Sequence, residues 1–324
     1  MQFINLIIIL IVTTLSFSVS GVTFKVGLLA PEGTSWALNL KRMAKEIKKS
    51  TNGRVKFKLY YGGAQGDEPD VLRKIRVGQL QGGIFTGKTL GDINGDVRVL
   101  EIPFTFFEKR EKAYGVMMKM APYFNQQFTQ KGFFNLGFFE IGLVYFVSKK
   151  KTPDINSLQG VKIWSWEGDP LVASLINTMK LVSVPLALPD VLSSLSTGIV
   201  EAAYAPPLAI LALQWNNKIK YLLDFPLAYS TGAFLIDSKK WNKVKEQDRK
   251  LVEKISRKFF QQINKDNVQE NLDALAALKG AGIEFIKFSQ EDQKISSDLR
   301  GTIIKQLTGK LFSSEAYRRF NSHL

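Results

Sequence analysis

The stretch Val22–Ile47, VTFKVGLLAPEGTSWALNLKRMAKEI, decides how the chain is read. Val22 to Leu29 is extended and mostly apolar, a strand. Pro31-Glu32-Gly33-Thr34 is a turn, and Thr34 stands where a helix N-cap belongs. Trp36, Leu40, Met43, Ala44 and Ile47 then return at helical spacing, one apolar stripe for a core. Asn52-Gly53 ends that helix, and Arg54 to Tyr61 alternates with period two. After Gly62-Gly63 a second helix runs through Asp70, Val71, Leu72 and Ile75, and Gly83 to Thr86 is a short buried strand. This order of strand and helix predicts a parallel sheet with helices packed on it.

The middle of the chain repeats the alternation. Phe138 to Ser148 is a long apolar strand and Val161 to Trp166 another. Asp169-Pro170 opens a helix, with Asp as cap and Pro in the first turn. Leu181 to Val184 is a strand closed by Pro185, Asp190 caps a helix to about Ser196, and Ile199 to Tyr204 is a strand ending before Pro206-Pro207. From Glu246 to Gly280 no proline interrupts, and Leu251, Ile255, Phe259, Ile263, Leu272, Leu275 and Leu278 fall largely on one stripe. About 35 residues at 1.5 Å each make a rod of roughly 50 Å, longer than one domain of this size is wide. Such a helix should brace two lobes. Ile283 to Phe288 returns as a strand before a mostly helical tail. The expected fold class is therefore α/β, two lobes around a ligand cleft with one long helix bracing both.

Composition removes most catalytic chemistry. The 324 residues contain no cysteine and one histidine, His323, next to the C-terminus. A disulfide framework, a thiolate zinc site, a Cys nucleophile, a Ser-His-Asp triad and an acylated lipoprotein cysteine are all excluded. Lys plus Arg is 44 against 29 Asp plus Glu, a net charge of +15. The basic residues are dispersed, as in Lys41, Lys45, Lys48, Lys49, Lys56 and Lys58, with no zinc finger, RNA-binding motif or basic tail. They form the solvated surface of a cationic protein, and no nucleic-acid partner is expected. At the N-terminus Phe3 to Leu15 is almost wholly apolar, and the first charged side chain is Lys25. The run is shorter than the ~20 residues a membrane span needs. It ends in Ser18-Val19-Ser20-Gly21, a small-x-small cleavage site, so residues 1–20 are read as a signal peptide, although the segment before the apolar run lacks Lys and Arg. The mature protein is expected outside the cytoplasm.

Three local patterns invite a chemical reading. Gly82 to Thr89, GGIFTGKT, matches the phosphate-binding-loop expression. Such a loop must follow a buried strand and open a helix, whereas here Gly83 to Thr86 is itself the strand. Glu167 and Asp169 are a candidate acid pair, but Asp169 has the simpler task of capping a helix, which leaves Glu167 without a catalytic partner. The aromatic residues carry more. Trp36, Trp164 and Trp166 lie at or near the carboxyl ends of predicted strands and Tyr204 ends another, where open α/β sheets bind ligands.

With these elements in place the chain resembles the solute receptors of TRAP (tripartite ATP-independent periplasmic) transporters, the DctP-type family. The resemblance begins at Thr51-Asn52-Gly53-Arg54-Val55 and passes through Gly66-Asp67-Glu68 and Ile102-Pro103-Phe104. It continues through Leu158-Gln159-Gly160-Val161-Lys162-Ile163 and Leu195-Ser196-Thr197-Gly198-Ile199-Val200-Glu201. It implies a periplasmic binding protein that closes by a hinge, catalyses nothing, needs no cofactor and hands its ligand to membrane permease subunits driven by an ion gradient. Most such receptors carry an arginine right after the Gly-x-Lys-Ile stretch, paired with a ligand carboxylate. Here that position is Trp164, an expected Asn is Ala205, and a second basic position falls near Val144. The stretch Trp166-Glu167-Gly168-Asp169-Pro170, with Tyr204 to Pro207 and Gln214-Trp215, looks like the subgroup associated with a tetratricopeptide-repeat partner, thought to take hydrophobic ligands.

The expected site therefore comprises Trp36, Phe85, Thr86, Trp164, Trp166, Glu167, Tyr204, Ala205 and Trp215. Aromatic faces would supply buried area, and Glu167 or Thr86 would orient a polar head. No metal site is expected. Lobe I is read as residues 21–142 with about 231–270, and lobe II as 143–230 with about 271–324. Losing the charged anchors argues against a simple C4-dicarboxylate, since an unpaired carboxylate in an apolar wall is costly. A carboxylate receptor with an atypical clamp stays open as an alternative, as does a signalling or scaffold protein that binds a protein partner.

Overall fold

A computed structural model describes residues 21–107 and 109–324; the apolar segment read as a signal peptide lies outside them. The first half runs β1 (Val22–Gly27), α1 (Ser35–Ser50), β2 (Val55–Tyr60), α2 (Glu68–Arg76), β3 (Gly82–Thr86) and α3 (Gly87–Ile93). A 3₁₀ turn (Gly95–Glu101), α4 (Arg110–Gln130) and the long β4 (Phe133–Ser148) follow. Next come β5 (Lys162–Ser165), α5 (Pro170–Thr178), β6 (Val182–Pro185), α6 (Val191–Thr197), β7 (Ala202–Ala205), α7 (Pro207–Ala212) and β8 (Tyr221–Leu223). The chain returns through β9 (Ala228–Asp237), α8 (Ser238–Trp241) and α9 (Glu246–Gly280). It ends with β10 (Glu284–Ile286), α10 (Gln290–Leu307) and α11 (Ser314–Asn321).

The opening stretch folds as its pattern dictates. β1 pairs in parallel with β2 from Val22↔Val55 to Gly27↔Tyr60, and Phe24 and Val26 are fully buried while Lys25 between them is exposed. Ala37, Leu40, Met43 and Ile47 form the buried stripe of α1. The sheet as a whole is mixed rather than parallel. Its order is β2-β1-β3-β9-β4-β7-β5-β6, and β9 runs antiparallel to both β3 and β4. β4 is in turn antiparallel to β7, while β5 is parallel to β6 and β7.

One strand joins the two lobes. β4 pairs with β9 as far as Val144↔Ala228 and then changes partner, pairing with β7 from Tyr145↔Ala205. Just before the change its register slips between Glu140 and Gly142, and Gly142 adopts φ +133°, a conformation that favours glycine. Backbone groups freed by the bulge are met by three asparagines of α9 spaced three and four apart, hence on one face. Asn264 accepts from Glu140 N–H (2.9 Å) and donates to the Phe138 carbonyl (3.3 Å). Asn267 donates to the Glu140 carbonyl (2.6 Å) and Asn271 to that of Ile141 (2.9 Å), while Asn271 Oδ1 accepts from Leu208 N–H (3.1 Å) in the second lobe. The first part of α9 packs on α1 and β4, and its later part on α7. The long helix thus braces both lobes at their junction. The tail divides its contacts: α10 packs on α5, whereas α11 packs on the 3₁₀ turn and α4. There Asp96 accepts from Ser313 N–H (2.6 Å) and from the hydroxyl of Tyr123 (2.6 Å).

Replacing Asn264 by leucine removes both bonds at near-constant volume and leaves a buried N–H and C=O of β4 unpaired. The expected loss in a urea titration is about 2–3 kcal/mol, with the far-ultraviolet circular dichroism unchanged.

Candidate functional site

Between the lobes lie two adjoining cavities of about 180 and 140 Å³. They share Thr86, Ile141, Trp166, Leu188, Ala209 and Leu213 as a common wall. The larger is lined by aromatic residues at strand ends and by an apolar slot that runs back under α5 through Leu171, Val172, Leu175, Ile176 and Met179.

Its aromatic wall is one contiguous cluster around Trp164. That ring stacks on Tyr204 with centroids 4.9 Å apart, meets Trp166 at 5.3 Å and takes Trp215 edge-on at 5.5 Å. Trp164 sits at the third position of β5 and donates through its indole N–H to the Leu186 carbonyl (3.0 Å), which fixes the ring. Ala205 and Val144, where the resemblance expects polar anchors, also line this cavity. The Tyr204 hydroxyl is buried without a hydrogen-bond partner among the described residues; the Trp166 backbone faces it but not at hydrogen-bonding geometry. Burial first, and then the Asp169 carboxylate, push its ionisation far above the ordinary tyrosine range.

Two of the expected residues lie elsewhere. Phe85 is wholly buried in the core behind β3. Successive strand residues face opposite sides, so Thr86 lines both cavities and Phe85 cannot. Glu167 is exposed in the turn after β5 and lines neither cavity. Trp36 packs against Phe139 (5.6 Å) and borders the smaller cavity. Gly82 to Thr86 is all strand, with α3 starting at Gly87 and no loop between, and Lys88 pairs with Asp92 at 2.7 Å. The phosphate-loop pattern therefore has no phosphate-loop geometry.

Sequence reading missed the charged centre of the larger cavity. Arg98, in the 3₁₀ turn of lobe I, is 3% exposed and reaches Asp169 at the head of α5 in lobe II through Nη2, 3.0 and 3.1 Å from its two oxygens. Asp169 caps α5 as expected, accepting from Leu171 and Val172 N–H, and also anchors this ion pair across the cleft. Glu101 lies 3.3 Å from Arg98 Nε, outside hydrogen-bond geometry, and accepts from Thr231 N–H at 3.0 Å. Burial pushes the Glu101 carboxyl up, against the pull of Arg98. Gly87 leaves room for this carboxylate: a Cβ there would run into the Glu101 oxygens and force them to move. A second bridge between the lobes runs from Trp166 Nε1 to Asp67 Oδ2 at 3.0 Å. Beside it, Glu68 is 2% exposed and accepts from the N–H and hydroxyl of Thr86 (2.9 and 3.1 Å). Burial pushes its carboxyl up to about 8, against those bonds.

Two lobes bridged over an apolar cavity make a receptor that encloses a solute. Comparison with known proteins agrees. Residues 26–307 match the family of bacterial extracellular solute-binding proteins, family 7 (DctP), and the chain belongs to that family. Its members are transport solute-binding proteins of the TRAP type and not enzymes. A solute-binding protein of Verminephrobacter eiseniae is 23% identical over 86% of this chain and 77% of its own length. The C4-dicarboxylate-binding periplasmic protein DctP of Rhodobacter capsulatus is 22% identical over 76% and 74%. Among solved structures, a TRAP periplasmic solute-binding protein from Desulfovibrio salexigens with bound orotic acid superposes with TM-score 0.84 at 19% identity, covering 93% of this chain and 98% of that one. One from Haemophilus influenzae with bound L-gulonate gives 0.85 at 18%, covering 93% and 99%.

Two outcomes test the charged groups. Arg98→Met should cost about 3–5 kcal/mol in denaturant at pH 7, because it strands two buried carboxylates, and Asp169→Asn in the same chain should restore part of it. Glu68 holds a proton in the folded protein that the unfolded chain has released, so its contribution is full below the ordinary carboxylate pKa and lost as pH rises to about 8. Stability should fall across that window, by at most about 1.4 kcal/mol per pH unit from this group. Glu68→Gln should flatten that part of the profile.

Proposed function

We propose that the protein is the periplasmic receptor of a TRAP transporter and captures a small amphipathic solute, an apolar or aromatic body with one compact polar head, for delivery to membrane permease subunits. The composition of the larger cavity carries this reading: Trp164, Ala205 and Val144 stand where charged or polar anchors are expected, and the slot under α5 is aliphatic. Its charges are internally matched, Arg98 by Asp169 and Glu101, and Lys88 by Asp92. The Tyr204 hydroxyl remains for the head. The two lobes are taken to open and close about the β4 bulge. Export by residues 1–20 and docking of a tetratricopeptide-repeat protein accompany this reading as implications of the resemblance. Among the described residues no helix is long and apolar enough to cross a membrane.

A carboxylate-bearing solute is the second reading. Lys88 borders the larger cavity with its ammonium bound to a single carboxylate, and the structural relatives hold orotate, uronates and L-gulonate.

Native and denaturing mass spectra of protein purified without refolding separate the two. A retained apolar solute, displaced weakly or not at all by D-glucuronate in calorimetry, supports the first; a retained organic acid overturns it. Trp164→Arg should weaken binding of the apolar solute by tenfold or more, and unchanged affinity would remove Trp164 from the site.

A further inference from the structure

The smaller cavity holds polar groups that the receptor reading leaves unused. Asn267 lines it and is 6% exposed. Its Nδ2 donates to the Glu140 carbonyl at 2.6 Å, and since a carbonyl can only accept, that bond fixes which end of the amide faces the hinge. Oδ1 is left as the other polar end of the amide; it is buried and has no hydrogen-bond partner among the described residues. An unpaired buried acceptor is costly and asks for a donor. Among the described residues, Lys, Arg and His are absent from the lining of this cavity, and none of its side chains there matches an anion. The carboxyl group there, Glu68, already accepts from Thr86 and lies next to the Asp67 carboxylate. Pushed up to about 8, it is mostly uncharged at neutral pH and gives little hold to a cation. Trp36, Phe139 and Trp166 supply flat apolar faces.

We propose that the smaller cavity is a subsite for a neutral hydrogen-bond donor, a hydroxyl or N–H group on an apolar or aromatic body, and that Asn267 Oδ1 selects it. This rests on the receptor reading, since one solute would reach both cavities through their shared wall. Selection follows from the orphaned acceptor: a ligand lacking the proton leaves Oδ1 unpaired and dry, and is rejected more strongly than lost contact area alone would require.

Tryptophan fluorescence titrations with 2-phenylethanol, its methyl ether, 2-phenylethylamine and phenylacetate test this. The alcohol should bind about tenfold tighter than the ether and at least as tightly as the amine, with phenylacetate weakest. In Asn267→Leu the alcohol and ether should converge to within about twofold. Asn264→Leu, which also loosens the hinge but leaves Oδ1 in place, should keep the preference. Reading the ratio of two probes in one protein separates a selecting role from a structural one. Equal binding of alcohol and ether in the unaltered protein, or a preference that survives Asn267→Leu, overturns the subsite while leaving the receptor reading intact. An amine tenfold tighter than the alcohol, phenylacetate as the tightest probe, or no binding of any of the four overturns the subsite too. A protein that in addition retains no solute in the mass spectra would remove the receptor reading itself.

Discussion

Everything in this molecule that concerns a ligand depends on satisfying the backbone of a few residues, Glu140 to Gly142, just before β4 leaves one partner strand for another. The slip there frees buried N–H and C=O groups, and such groups must be paired. Asn264, Asn267 and Asn271 do this from a single helix face. The length of α9 follows from that duty: a short helix could dock on one lobe, but only a long one can carry side chains to the bulge while its ends pack on α1 and α7. Glu140 adds a second tie, its buried carboxylate held by Arg110 Nε (2.8 Å) and the Tyr229 hydroxyl (3.2 Å). The junction is therefore polar inside and specified by hydrogen bonds, whereas each lobe's core is specified by packing.

The cleft beside that junction combines an apolar wall with charges that cancel. Of the 44 Lys and Arg side chains, Lys88 and Arg98 line the cavities, and both meet carboxylates. The surplus of +15 belongs to the surface, where solvent and salt screen it within about 10 Å. Arg98, in the 3₁₀ turn before α4, and Asp169, at the head of α5, meet across the larger cavity, so their pairing ties its two sides together. Buried ion pairs of this kind add little net stability but penalise misplacement heavily, which suits a contact that must form in one geometry.

Much of the architecture was legible because it is written in local period. The alternation in Arg54–Tyr61, the helical stripe of α1 and the proline-free run Glu246–Gly280 each report a half-buried element directly. β9 was not legible: AYSTGAFLID is buried on both faces over most of its length, so it shows no alternation, and its antiparallel placement between β3 and β4 is a long-range fact. The aromatic cluster could be anticipated from Trp and Tyr at strand ends. Phe85 could not be separated from Thr86 by that rule, because neighbours on a strand point oppositely. Arg98 carried no signal: a lone arginine in GDVRVLE reads as surface until a carboxylate 71 residues away is brought to it. The asparagines of α9 offered one, three amides three and four apart facing the same way, a pattern that a solvated helix does not need.

Trp164 and Arg98 belong to one physical argument. The backbone of β5 delivers position 164 to the cavity whatever its side chain, since the strand is held by main-chain pairing to β6. An arginine there would bring a second guanidinium into an apolar cavity that already contains Arg98, and its desolvation would have to be repaid by an anion. Asp169 and Glu101 are engaged by the first cation, so the ligand would have to supply that anion. With tryptophan at 164 the cavity is complete without one: the charges close on themselves, the indole N–H finds the Leu186 carbonyl, and the ring lies flat on Tyr204. Side chains at strand ends can thus set the charge of the cleft without altering the scaffold, because the fold places no demand on their polarity there.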